Sequence, residues 1–139
     1  MVGTATDLPP RGAGEFVSTN IVRVEVTPKI GEGMRDVRGD LVKRQLSADH
    51  NITIETVRSI TGFLVASDID AQSISARVDD VFADPVIEES TIDESHLDNE
   101  NLFPNQADVI VTIGFKPGVT DNPGKAALDG FRTIFPNAG

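Results

Sequence analysis

The stretch Val24 to Gly39, VEVTPKIGEGMRDVRG, returns imperfectly at Val109 to Gly124 as VIVTIGFKPGVTDNPG. Laid on each other without a gap, the two place Val24 on Val109, Val26 on Val111, Thr27 on Thr112, Gly33 on Gly118, Asp36 on Asp121 and Gly39 on Gly124. The offset is 85 residues (109 less 24). Each copy reads as an alternating apolar strand, a Gly-containing turn and an acidic residue where a helix begins. A recurring unit usually buries its apolar face against its neighbour. The expected organisation is therefore one complete unit followed by the opening of a second.

Residues 1–19 mix Gly, Pro, Thr and Ala without an apolar period and read as a mobile leader. From Asn20 the texture changes. Val22, Val24 and Val26 alternate with Arg23 and Glu25, the period-two pattern of a strand with one buried face. Pro28 ends that strand by removing a ladder donor, and Gly31 and Gly33 supply a turn that can use positive φ. Asp36 is the expected N-cap of a helix whose Val37, Leu41, Val42 and Leu46 are read as one buried stripe. Gly39 within that helix implies close backbone packing or a later helix start. Two strands, Ile52 to Ile60 and Phe63 to Ala66, are expected to form a hairpin around Thr61-Gly62. Asp68 or Asp70 can cap a second helix, with its stripe at Ile74, Val78, Val81 and Phe82; Asp84-Pro85 ends it and Val86-Ile87 start a final strand.

The unit spans 20–92 and reads β-α-β-β-α-β. This predicts an α+β fold, an antiparallel sheet with helices on one face in a ferredoxin-like arrangement. Glu88 to Asp108 carries Glu88, Glu89, Asp93, Glu94, Asp98, Glu100 and Asp108 without a Lys or Arg. Residues 93–107 are accordingly read as a solvated acidic linker, with Leu102 and Phe103 able to dock. Residues 108–139 are read as a partial second unit. Its strand carries Val109, Val111 and Ile113, Asn122 with Pro123 opens a helix, and Ala127, Phe131, Ile134 and Phe135 form an apolar stripe. That stripe needs the rest of a second unit, the first unit or another molecule to cover it.

Composition excludes several classes of function. A net charge of −10 argues against tracking a phosphate backbone, so nucleic acid is not an expected partner. The chain has no Cys, hence no disulfide, thiolate nucleophile or thiolate metal site. No apolar run approaches the roughly 18 residues of a membrane span and no secretory signal is evident. A soluble, cytoplasmic protein without a membrane partner is expected.

No residue is assigned a catalytic, cofactor-binding or metal-ligating role. His50 and His96 each sit in a polar stretch and are read as solvated side chains. The adjacent acids Asp79-Asp80 and Glu88-Glu89 are read as solvated faces, because neighbours on a helix do not face one another. Lys116 to Lys125 leads a Gly-containing loop into a helix start that could hold phosphate. It lacks the full spacing of a phosphate-binding loop, which favours turn chemistry. Lys29 and Arg58 are possible partner contacts, or ordinary solvated cations.

VEVTPK (Val24–Lys29), GMRDVRG (Gly33–Gly39), Val57-Arg58 and DPVIE (Asp84–Glu88) together resemble the PurS family, the small subunit of phosphoribosylformylglycinamidine synthase. KPGVTDNPG (Lys116–Gly124) is similar to the same family's first strand, turn and helix start. The resemblance covers about Ile21 to Ile92 and again Asp108 onward. Val37 departs from it by standing where the family usually has proline, and the second copy has its proline one place late at Pro123. A tandem of such units looks like the amino-terminal region of the fused, large form of the synthase. The resemblance implies a PurS-like fold and a non-catalytic role in de novo purine biosynthesis. The unit would bridge the ATP-dependent synthetase and the glutamine amidotransferase for ammonia transfer, and would self-associate as a homo-oligomer. ATP, Mg and glutamine would be used by those partners, and no cofactor is expected in this chain. Two other classes stay open on the sequence: a ferredoxin-like regulatory module binding a small effector at a dimer interface, and a stand-alone enzyme built on the Lys116 to Lys125 loop.

Overall fold

The computed structural model describes residues 19–139; the expected leader, apart from Thr19, lies outside the described residues. The elements run β1 (Asn20–Pro28), α1 (Val37–His50), β2 (Thr61–Ser67), α2 (Ala71–Val81), β3 (Glu88–Ile92), a 3₁₀ turn (His96–Asp98) and α3 (Asn122–Ile134). The fold is α+β, with three helices and a three-stranded antiparallel sheet ordered β2-β1-β3. β1 is the central strand, placing Val24 opposite Phe63 on one side and Ile92 on the other. Its alternation separates two faces. Val22, Val24 and Val26 join Ile74, Val78 and Phe131 in the core, while Glu25 and Thr27 lie buried on the reverse face. Each of the core side chains contributes about 1.5–3 kcal/mol by leaving water.

α2 and α3 supply this core because their apolar residues recur at i, i+4, i+7 and i+8, a single stripe at 3.6 residues per turn. Ile74 and Val78 come from α2, and Phe131 from α3; Val81, Phe82 and Phe135 pack around them. The cap of α2 is Asp70, while Asp68 instead accepts from the Gly139 amide. The Ser73 hydroxyl (2.7 Å), followed by the Ser73 amide (2.8 Å), holds the Asp70 carboxyl below the ordinary carboxylate range. The cap's stabilisation is therefore complete above the unfolded-state pKa and is lost as pH falls through the lower folded-state value. Ser73→Ala is expected to raise the Asp70 pKa toward its unfolded value in an NMR titration. An unchanged midpoint would assign the shift to another cause.

α1 departs from its expected packing. Val37, Leu41 and Val42 are exposed, and Gly39 is the buried residue of the helix. The reason is angular: at about 100° per residue, Val37 and Leu46 point some 180° apart, so the four apolar side chains never formed one stripe. At its buried residue, Gly39, α1 presents backbone to the protein. A Cβ on Gly39 would collide with the Val57 carbonyl, so close packing is the role of this glycine.

The expected strand Ile52 to Ile60 is also absent. Its backbone groups are taken by side chains and by α1 rather than by a ladder. Asp36 accepts from the Ser59 amide and hydroxyl, Thr27 Oγ1 donates to the Ser59 carbonyl (2.9 Å), and Lys43 Nζ donates to the Glu55 carbonyl. Thr61-Gly62, read as a hairpin turn, lies inside β2 opposite Val26 and Glu25. β3 likewise begins later than expected. Pro85 to Ile87 form a turn, with the Asp84 carbonyl accepting from the Ile87 (3.0 Å) and Glu88 (2.8 Å) amides.

Beyond β3 the acidic segment is not wholly solvated, since His96 and Leu102 are buried. Val109, Val111 and Ile113 form no strand and stand exposed, Ile113 at 90%. An alternating segment becomes a strand only when another strand accepts its ladder, and none does so among the described residues. The helix after it is capped by Asp121 rather than Asn122, with Asn122 and Pro123 in its first turn. None of the described helices is long and apolar enough to cross a membrane.

Candidate functional site

Two clusters of polar side chains stand out. The first lies at the end of β1, where Pro28 stops the ladder and Gly31 (φ 104°) and Gly33 (φ 85°) turn the chain back through a Gly31–Met34 bridge. Asp36, 1% exposed, then starts α1 by accepting from the Gly39 amide at 2.8 Å. The Lys29 amide donates to the Ile87 carbonyl at 2.8 Å, and its ammonium to the Pro85 carbonyl. These contacts enclose an open cleft of about 510 Å³, whose walls include Lys29, Met34, Arg35, Val37, Arg38 and Glu88. Arg38 Nη1 donates to Thr61 Oγ1 at 3.3 Å, and Arg35 Nε lies 3.6 Å from Asp40. The Glu88 carboxylate accepts from the Asp84 amide at 2.8 Å.

The second cluster lies on the reverse face of the sheet. Glu25, 1% exposed, pairs with Arg23 and accepts from the His96 amide (2.8 Å) and Ser95 Oγ (3.3 Å). His96 Nε2 lies 3.2 Å from the Glu25 carbonyl. The solvated reading of His96 is thus corrected: it closes over a mid-strand glutamate, because a buried carboxylate requires hydrogen-bond donors. Asp93 starts this strap by accepting from the Arg23 amide at 2.9 Å. Neither Glu25 nor its contact with His96 was signalled in the sequence; an acidic residue alternating with valines ordinarily faces water. The arrangement joins residues about seventy positions apart in the chain and buries Glu25 and His96 at 1–2% exposure, which gives it a structural role.

The remaining sequence candidates are dispersed. His50 is exposed in the last turn of α1. Asp79 accepts from Ser90 Oγ at 2.6 Å, Asp80 pairs with Arg77, and Glu89 is exposed. Arg58 is half-buried with no partner for its Nε. The Lys116 to Lys125 loop is exposed at its centre, and Asp121 already accepts from the Gly124 amide at 2.7 Å. Its helix start is therefore occupied by its own cap. Among the described residues no group of three or more His, Asp or Glu is placed to hold a metal ion.

The cleft is lined from three of the four stretches on which the family resemblance rests, and the fourth, Val57-Arg58, leads into its lining residue Ser59. VEVTPK forms the second half of β1 and its end, GMRDVRG the turn and start of α1, and DPVIE the turn into β3; the Val57 carbonyl lies against Gly39. No protein-family model matches the chain, and no curated protein matches it. Among solved structures it is similar to the purS subunit of phosphoribosylformylglycinamidine synthase from Thermotoga maritima. The identity is 15% over 59% of this chain and 98% of that one, with a TM-score of 0.43.

Proposed function

We propose that the chain is a non-catalytic assembly component of phosphoribosylformylglycinamidine synthase, bridging the ATP-dependent synthetase and the glutaminase for ammonia transfer. The observation that supports this reading is the convergence of four PurS-like stretches, from residues 24–29, 33–39, 57–58 and 84–88, at one end of the sheet. The unit boundaries 20–92, 93–107 and 108–139 belong to the same proposal. So does self-association, in which the exposed Val109, Val111 and Ile113 would find strand partners that the described chain does not provide.

The test is amidation of formylglycinamide ribonucleotide by separately supplied synthetase and glutaminase, with and without this chain. A severalfold rise with glutamine as nitrogen source, and none with free ammonia, is the expected result. Equal rates with and without the chain under both nitrogen sources would overturn the bridging role.

A further inference from the structure

We infer that the cleft framed by Lys29, Arg35 and Arg38 binds a small ligand through a phosphate group. The inference goes beyond the assembly role and stands without it. The protein carries a net charge of −10, yet three of its cations line a single concavity in which Glu88 is the acidic member. Their internal partners leave most of their donors free. Lys29 is held by a carbonyl and Arg38 by one hydroxyl, while the Arg35–Asp40 pair is long at 3.6 Å and solvent-exposed. Such a surface pair gives little stabilisation. One oxygen of the Glu88 carboxylate accepts from the Asp84 amide, and neither guanidinium group is paired with it.

The second copy of the motif separates what the turn requires from what the cleft adds. Its Val119 amide donates to the Lys116 carbonyl at 3.0 Å, as Met34 does to Gly31 at 2.9 Å. Gly118 has φ 83° against 85° for Gly33, and Asp121 caps Gly124 as Asp36 caps Gly39. At the same offset, however, Lys29, Arg35 and Arg38 are replaced by Gly114, Thr120 and Pro123. The turn and cap therefore form without the three charges. Two guanidinium forks and an ammonium on the walls of one cleft are the donor types that bind a phosphate's oxygens, and each is held internally by a single partner from which it can turn. Met34 and Val37 add an apolar wall, and the volume of about 510 Å³ falls in the usual range of ligand pockets, roughly 300–1,000 Å³. The helix amides need not take part, since Asp36 already holds that of Gly39.

The experiment is an amide-resolved NMR titration of the full chain with inorganic phosphate, with AMP, and with sodium chloride at matched ionic strength. Saturable shifts at Gly31 to Gly39 and at Ile87-Glu88 are expected with phosphate or AMP and not with chloride. Tighter AMP binding would show that the apolar wall is used, and equal affinities that the phosphate alone is read. The triple variant Lys29→Gln, Arg35→Thr, Arg38→Gln is expected to weaken binding about ten-fold or more at an unchanged melting temperature. Should that variant fail to fold, Arg35→Thr alone, which gives up only an exposed pair, is expected to weaken binding measurably. Shifts reproduced by chloride, no saturable shift, or undiminished affinity in the folded variant would each overturn the inference.

Discussion

Phe131→Asp is expected to leave the chain largely unfolded at room temperature, or to lower its melting temperature steeply. Phe131 is 5% exposed, sits in one cluster with Val24, Ile74 and Val78, and has its ring 4.9 Å from that of Phe135. Removing a core phenylalanine side chain costs about 3–5 kcal/mol, and a carboxylate without a partner in that space adds a desolvation penalty. The total stability of a domain this size is about 5–15 kcal/mol. Leu128, on the same helix and 44% exposed, serves as the comparison, and Leu128→Asp is expected to cost below about 1 kcal/mol. Urea denaturation followed by circular dichroism reads both. Equal midpoints for the two variants would mean that α3 does not seat on the core in solution.

The second large effect distinguishes the two aspartate caps. Asp36 accepts from the Gly39 amide (2.8 Å), the Ser59 amide and the Ser59 hydroxyl (2.7 Å), and is 1% exposed. Asp36→Ala removes a cap and releases Ser59 from α1, at an expected cost of about 3 kcal/mol or more. Asp121→Ala removes a carboxylate whose partner is Gly124, at an expected cost of about 1 kcal/mol. The same denaturation measurement decides between them. Equal losses would show that the Ser59 contacts contribute nothing beyond the cap, and that the segment before β2 is held by other means.

What could be read locally was read correctly where short-range geometry governs. Gly31 and Gly33 adopt positive φ, Asp36 and Asp70 cap their helices, and the i, i+4, i+7, i+8 stripes at Ile74 and at Ala127 lead into the core. Gly39 left open close backbone packing or a later helix start; the helix starts at Val37 and the Val57 carbonyl decides for the first. In the candidate site the stretch Gly33 to Gly39 was legible as a motif. That Arg35 and Arg38 share a cleft with Lys29 and Glu88 was not, because residues about fifty positions apart meet there only after β3 pairs with β1.

The sequence by itself determined the Gly31–Gly33 turn, the Asp36 cap and the central strand, because dihedral preference, capping and alternation act between residues a few positions apart. Tertiary structure alone decided the rest. Ile52 to Ile60, with imperfect alternation, and Val109 to Ile113 both read as strands, but a strand exists only through another strand's hydrogen bonds, and those segments have none among the described residues. His96 reads as a surface residue until Glu25, buried in the sheet, draws its amide down as a donor. Burial and pairing depend on neighbours that the chain brings together by folding, and their identity is not written beside the residue that needs them.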